Sequence, residues 1–180
     1  MSEQSTLPDQ PMGVPVYDDG RLAVRYQRRL AHPPEKVWRA LTESEHLQHW
    51  MPCDIVGERR AGAAIELAFW PTAVERYEIE DPVLHGEIRV WDPPNVFEWS
   101  WDTDLLRWEL EPDGEHTVLT FTTWFGETDP GVLSGAGAGY HLCLDQLIDL
   151  LDTGSVADLD DAVVAAWVER YSEAVRSATP

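Results

Sequence analysis

The chain has 180 residues, and 33 Asp and Glu against 13 Lys and Arg give it a formal net charge of -20. This length and a hydrophobic fraction of 43% allow one domain with a core of its own. The charge argues against nucleic-acid partners and anionic membranes, because binding to phosphate depends on Lys and Arg.

The first 20 residues, MSEQSTLPDQPMGVPVYDDG, are polar and rich in proline, and we predict a disordered tail. They lack the pattern of a signal peptide, and no apolar run approaches the ~20 residues that span a bilayer. Cys53 and Cys143 are too few for a disulfide framework. We therefore expect a cytoplasmic protein without membrane insertion.

A strand is predicted at residues 21–30, where one face carries Leu22, Val24, Tyr26, Arg28 and Leu30. His32-Pro33-Pro34 ends it, and prolines are tolerated at a helix start because the first N–H groups are unpaired there. Short helices are expected at residues 34–42 and 45–50, with Ser44 capping the second.

From Ala64 onward the hydrophobic pattern repeats every two residues, as in half-buried strands. The turn residues Asp92-Pro93-Pro94-Asn95 and Pro112-Asp113-Gly114 separate such runs, which predicts antiparallel hairpins. About six strands follow the short helices. They cover residues 64–69, 75–79 (a weaker prediction), 86–91, 97–101, 106–110 and 117–125.

The facing of the strand at residues 86–91 is ambiguous. Either Ile88 and Val90 point inward, or Glu87, Arg89 and Trp91 do. In the second case Arg89 would place a charge inside the protein and would need an anionic partner, either Glu87 or a ligand carboxylate. In the first case Arg89 faces solvent and pairs with a carboxylate on a neighbouring strand.

The stretch at residues 135–151, GAGAGYHLCLDQLIDLL, is predicted to open with a flexible glycine/alanine run and to continue as a long amphipathic helix at residues 139–151. Its apolar face contains Tyr140, Cys143, Leu144, Leu147, Ile148, Leu150 and Leu151, and its polar face Asp145, Gln146 and Asp149. We expect Gly135, Gly137 and Gly139 to precede the helix as a flexible gate. A further amphipathic helix is expected at residues 159–176.

Together these elements predict an α+β fold in which a curved antiparallel sheet wraps around the long helix. A cavity between sheet and helix is expected. The predicted organisation is a disordered tail at residues 1–20, a domain at 21–152 and a C-terminal helical extension at 153–180.

Four segments of the chain resemble a known family. They are AHPPEKVWRALT with EHL and HW (residues 31–50), GE with DPP and FEWSW (86–101), LEPDG before TVLT (110–120), and GYH with LDQL (139–147). In this order they resemble the helix-grip fold of the START-like (SRPBCC) superfamily. The specific resemblance is to proteins named after the C-terminal domain of the activator of the heat-shock protein 90 ATPase.

The resemblance implies three functions. Members of the superfamily bind hydrophobic small molecules in the cavity, which makes a hydrophobic or aromatic ligand our first expectation. The family name implies a chaperone or other protein partner and a role in the stress response. Some superfamily members are aromatase/cyclase-like enzymes, in which case His141 or Arg89 would transfer protons. The resemblance implies no cofactor, and a fold alone licenses no reaction.

The candidate ligand-binding residues are the inward aromatics of the predicted strands and the facing residues of the long helix. A cavity lined by them fits the apolar character of ligand sites, whereas the alternative is a filled core. They are Phe69, Phe97, Trp99, Trp101, Trp108, Phe121, Phe125, Tyr140, His141 and Leu144.

Two further patterns carry less weight. His46, His49 and Cys53 have zinc-ligand chemistry but lack a fourth ligand, so no metal site is predicted. His141 and Cys143 lie two residues apart on a helix and diverge, so they form no nucleophile pair, and no catalytic residue is predicted. His141 either borders the cavity or makes an internal polar contact, and Cys143 is expected to be a buried thiol.

Overall fold

The computed structural model describes residues 11–18, 20–126 and 128–178. This part of the chain forms eight strands and five helices. They are β1 (Val14–Asp18), β2 (Arg21–Leu30), α1 (Pro34–Thr42), α2 (Ser44–Trp50), β3 (Cys53–Gly57), β4 (Ala64–Phe69), α3 (Pro71–Tyr77), β5 (Val83–Asp92), β6 (Val96–Trp101), β7 (Asp104–Asp113), β8 (His116–Trp124), α4 (Pro130–Thr153) and α5 (Asp161–Ala178).

All eight strands form one antiparallel sheet in the order β1-β2-β8-β7-β6-β5-β4-β3. Strands next to each other in sequence pair, except β2 and β3, which α1 and α2 separate. β2 pairs instead with β8 and so joins the first part of the chain to the last strand. The sheet curves around α4, with Tyr26 of β2 donating a hydrogen bond to the Gly137 carbonyl of α4 at 2.7 Å. The predicted α+β helix-grip class is thereby confirmed.

The long helix begins at Pro130, nine residues before the predicted start at Gly139. Asp129 caps α4 by accepting hydrogen bonds from the backbone N–H groups of Gly131 and Val132. Gly135, Gly137 and Gly139 therefore lie inside the helix, and the prediction that they form a flexible gate before it is wrong. The N-cap explains the difference, because it starts the helix upstream of the glycines.

Three local predictions need correction. Residues 14–18 form β1 along β2, so the predicted tail is wrong there, while residues 1–10 lie outside the described part. Residues 71–77 form α3 in place of the weaker strand at 75–79, since Pro71 occupies the first turn of a helix. The prediction also missed β3, a five-residue strand. Ser44 opens α2 without capping it, and its hydroxyl donates to Asp54 at 2.7 Å.

A β-bulge in β5 resolves the ambiguous facing. Ile88 pairs with Trp99 and Trp91 pairs with Phe97, and the register shifts between Ile88 and Val90. Because the bulge adds one residue, Ile88 and Trp91 both lie on the inner face although they are three positions apart, which in a regular strand would place them on opposite faces. Arg89 is exposed.

The core fills the space between the sheet and α4. Phe97, Trp99, Trp108 and Phe121 are each at most 2% exposed. The Trp108 and Phe121 rings stack with their centroids 3.8 Å apart, and Tyr140 of α4 meets Phe121 edge-on at 5.2 Å. Aromatic packing of this density leaves the centre of the concave face filled.

The last helix packs against α4 and the N-terminal segment. Trp167, Tyr171 and Val175 of α5 are buried and recur every four residues, as expected for a one-sided helix. The backbone N–H of Gly13 donates to the Tyr171 hydroxyl at 2.7 Å. The proposed division at residues 152 and 153 stays a prediction. None of the described helices is long and apolar enough to cross a membrane.

Candidate functional site

A cleft of about 940 Å³ opens beside the core, at the end of the sheet where β4 and β6 finish. Phe69 at the end of β4 and Trp101 at the end of β6 meet edge-on, with ring centroids 5.7 Å apart. Tyr140 and Cys143 contribute from α4, and the remaining walls come from α2, α3 and α5. The aromatic residues that line the cleft are Trp50, Phe69, Trp70, Tyr77, Trp101 and Tyr140.

Local structure fixes these aromatic walls. Trp70 caps α3, and its indole N–H donates to the Met51 carbonyl at 2.9 Å, which ties α3 to the end of α2. Trp50 ends α2, and its indole N–H donates to the Ala40 carbonyl at 2.9 Å. Because both indole N–H groups have partners within the protein, the two rings offer mainly apolar surface to the cleft.

The ten predicted site residues separate into two groups. Phe69, Trp101 and Tyr140 line the cleft. The other seven are buried in the core and do not line it, because the concave face that was expected to be open is packed with aromatic rings. These seven are Phe97, Trp99, Trp108, Phe121, Phe125, His141 and Leu144. A ligand-binding role for any of the ten stays a prediction.

The sequence reasoning missed the walls supplied by α3 and α5. Ala73, Arg76 and Tyr77 line the cleft from α3, a segment for which the sequence predicts a break and a weak strand. Val164 and Val168 line it from α5. Their apolar positions along the last helix were a usable signal, but the sequence does not show that this helix packs beside α4.

His141 belongs to a buried polar cluster on another side of α4, formed by Arg28, His141, Asp145 and Tyr171. His141 is fully buried, and its Nδ1 lies 3.0 Å from the Tyr171 hydroxyl. Since that hydroxyl already accepts from Gly13, its proton is available to donate to Nδ1. Nε2 then carries the imidazole proton and faces Asp145 at 3.5 Å.

Arg28 places a charged side chain on the inner face of the sheet. Its side chain is 1% exposed, and its Nη2 lies 3.9 Å from the Asp145 carboxylate. Nη1 donates to the Pro11 carbonyl at 2.7 Å. Within the described residues, no hydrogen-bond partner satisfies Nε or Nη2 of Arg28, Nε2 of His141 or either carboxylate oxygen of Asp145. The alternation in β2 places Arg28 on the apolar face, whereas Arg89, the other candidate for an inward charge, is exposed.

Burial dominates the titration of the cluster. It lowers the pKa of His141 to about 3, with the positive charge of Arg28 acting in the same direction. Burial also raises the pKa of Asp145 to about 6, against the opposing effect of Arg28. His141 is therefore neutral at pH 7. Its buried side chain is not among the residues that line the cleft. Because His141 and Arg89 both lie away from the cleft, neither contacts a ligand bound there.

In the part of the chain that the structure describes, His46, His49 and Cys53 form no group of atoms that could hold one ion. Cys53 is fully buried, while His46 and His49 lie nearer the surface on α2. Among the described residues, the group whose atoms could share an ion is Glu43, Glu45 and His46, all on the surface. Cys143 lines the cleft and is partly buried, and burial raises the pKa of its thiol to about 12.

The family comparison matches residues 31–152 to the family described as "Activator of Hsp90 ATPase homolog 1-like protein". The chain belongs to this family. The match excludes β1, β2 and α5, although residues of α5 line the cleft. No curated protein matches the chain in sequence.

Solved structures of low sequence identity share the fold. EF2215 from Enterococcus faecalis, a conserved protein of unknown function, is 18% identical with a TM-score of 0.76, over 93% of this chain and 92% of that one. CalU16 from Micromonospora echinospora is 18% identical with a TM-score of 0.67, over 90% and 94%. The Aha1 dimer from Colwellia psychrerythraea is 21% identical with a TM-score of 0.58, over 73% and 97%. At these identities the likeness concerns the fold alone.

Proposed function

We propose that this protein binds a hydrophobic or aromatic small molecule in the cleft between the end of the sheet and helices α2, α3, α4 and α5. The observation that carries the proposal is the cleft itself, with six aromatic side chains around a volume of about 940 Å³. Small-molecule sites commonly enclose about 300–1,000 Å³ with apolar walls and few polar groups. The affinity comes from apolar surface removed from water, at about 25 cal/mol per Å².

Polar groups lie on several walls of the cleft, and Arg76, Asp158 and Asp161 are on its α3 and α5 side. His49 and Gln48 come from α2, and Gln146 comes from α4. Gln146 lies 3.5 Å from the Ala157 carbonyl, a long contact that leaves its amide able to turn toward a ligand. These groups would orient a bound molecule, and the aromatic rings would hold its apolar body.

Native mass spectrometry of the purified protein, before and after denaturation, tests the proposal. We expect a retained apolar compound, or a mass shift on addition of aromatic and lipid compounds. Trp101→Ala removes a cleft wall and should weaken that binding about tenfold, since it deletes a large aromatic contact. Trp124→Ala is the matched control, because Trp124 is also partly buried but lies outside the cleft and donates to Asp18.

Either of two results would reject the proposal. One is the absence of any retained or added compound across the panel. The other is binding that Trp101→Ala and Trp124→Ala weaken equally, since that would place the ligand elsewhere or reflect a general loss of folding.

A second candidate function is interaction with a chaperone, supported by the description of the family to which the chain belongs. The net charge of -20 would steer a basic surface of the partner toward this protein. Stimulation of a purified Hsp90-type ATPase that weakens between about 50 and 200 mM salt would support it. ATP hydrolysis that is the same with and without the protein would count against it.

A further inference from the structure

The charged residues of the cleft are unevenly matched. Arg76, Asp158 and Asp161 line it. Arg76 is already neutralised, since its Nη2 lies 2.8 Å from the Asp161 carboxylate. No ion pair or hydrogen bond within the described part of the chain involves the exposed carboxylate of Asp158. The lining thus carries two carboxylates and one guanidinium, and the guanidinium is already paired with one of these carboxylates.

The aromatic walls favour positive charge. The face of an aromatic ring attracts cations, and rings grouped around a space are the usual way that proteins bind ammonium groups. The protein itself places a cation on one of these walls, because the guanidinium of Arg76 lies 5.9 Å from the centre of the Tyr77 ring. The rings of Phe69 and Trp101 and that of Tyr140 surround the adjoining space.

The electrostatic field of the whole molecule also favours a positively charged ligand. A net charge of -20 attracts cations to the surface and repels anions. A carboxylate ligand would meet this field, the unpaired charge of Asp158 and no free guanidinium in the cleft. An ammonium ligand would be attracted both by this field and by the carboxylate of Asp158, and it would need no guanidinium as a partner.

We infer that the ligand of the cleft is an organic cation, an apolar or aromatic body that carries an amine or a quaternary ammonium group. This inference rests on the proposed function and names its ligand class. The body packs among the aromatic walls, and the charged group lies toward the mouth of the cleft near Asp158. Asp158 is then a specificity-determining residue for the charge of the ligand. It lies outside the segment that matches the family.

Calorimetric titration with three probes of one shape tests the inference. Each has a 2-naphthylmethyl body, and the substituent is a trimethylammonium, hydroxyl or carboxylate group. We expect the ammonium probe to bind about fivefold more tightly than the hydroxyl probe, and the carboxylate probe to bind more weakly than both. Asp158→Asn should reduce the preference for ammonium over hydroxyl about threefold and leave the affinity for the hydroxyl probe unchanged.

Glu111→Gln is the matched control, because it removes one exposed acidic charge from β7, away from the cleft. It should leave the ratio of the two affinities unchanged, which separates the local carboxylate from the overall field. Trp101→Ala should weaken both probes and so locate the binding in the cleft.

The outcomes distinguish the two proposals. Equal affinities for the three probes, or a preference for the carboxylate, would overturn the inference and leave the proposed function standing. Binding of no probe would overturn both. An ammonium preference that Asp158→Asn and Glu111→Gln lower equally would overturn the assignment to Asp158.

Discussion

On the side of α4 that carries Gly139, Tyr140 and Cys143 the protein leaves a cleft of about 940 Å³, whereas the side that carries His141 and Asp145 is closed. Six aromatic side chains line the open side. The closed side holds the buried polar cluster, whose groups contact β2, α5 and residues 11–13. The difference shows that shifted pKa values, such as those of His141 and Asp145, do not by themselves mark the place where a ligand enters.

The buried polar cluster has a structural use instead. Tyr171 connects α5 to His141 and to Gly13, and Arg28 connects β2 to Pro11. Residues 11–30 and α5 lie outside the family match, and the cluster joins them to α4 of the matched segment through the contacts of Tyr171 with His141 and of Arg28 with Asp145. Buried charge is costly unless it is paired, and the contacts of Asp145 to Arg28 and His141 are 3.9 and 3.5 Å. The cluster therefore holds the flanking segments in place at an electrostatic cost.

The largest expected effect comes from breaking the buried ion pair. Asp145→Leu leaves the guanidinium of Arg28 buried without a carboxylate, and we expect the free energy of unfolding at pH 7.5 to fall by about 3 kcal/mol. The double replacement Arg28→Met with Asp145→Leu removes both charges and should recover most of that loss. Urea unfolding followed by circular dichroism measures both. A double variant as unstable as the sum of its single changes would contradict the account.

A smaller effect separates two glycines of α4. A Cβ at Gly137 would lie 2.8 Å from the Tyr171 ring, whereas a Cβ at Gly139 meets no atom within 4 Å. Gly137→Ala should therefore destabilise the protein by about 2 kcal/mol through overpacking. Gly139→Ala should stabilise it by about 0.5–1 kcal/mol, since Ala favours the helix. Changes of the same sign in thermal unfolding would show that the two sides of α4 do not differ in this way.

The sequence allowed the fold class to be predicted because alternation in the strands and helical spacing in α4 are local properties. It did not reveal β1 or β3, which are five residues each and carry little periodic signal. Nor could alternation alone place Ile88 and Trp91 on one face, because a bulge adds a residue without a clear sequence mark.

The candidate site was less predictable than the fold. Inward facing was inferred correctly for residues such as Trp99 and Trp108, but alternation does not say whether an inward ring packs into the core or lines a space. That distinction depends on how α3 and α5 approach the end of the sheet, which is set by tertiary contacts. The Arg28 signal was present in β2, since a charge stood within an apolar face.

The pH dependence of stability tests the buried side further. Between about pH 4 and 6 the unfolded chain binds a proton at His141, and the folded chain binds one at Asp145, whose pKa is about 6. The two contributions cancel there. His141→Gln leaves the Asp145 contribution, so stability relative to the unmodified protein should fall as pH rises across this range. Asp145→Asn leaves the His141 contribution, so relative stability should rise.

Each relative slope should be about 1 kcal/mol per pH unit, which is near the limit of one proton. Urea unfolding at several pH values measures it, and the subtraction removes the contributions of other acidic groups. Curves that run parallel to that of the unmodified protein would mean that burial does not shift these two groups as described.

The smallest expected effect concerns the ion pair of the cleft. Arg76 and Asp161 meet at 2.8 Å, a shorter distance than the 3.9 Å between Arg28 and Asp145, but their side chains are 40% and 96% exposed. Water screens such a pair, so Arg76→Gln should lower the free energy of unfolding by about 0.5 kcal/mol. A loss above about 1.5 kcal/mol in urea unfolding would show that this pair holds α5 in place. If the loss is small, burial, and not the distance between the charges, decides how strongly each side of α4 depends on its ion pair.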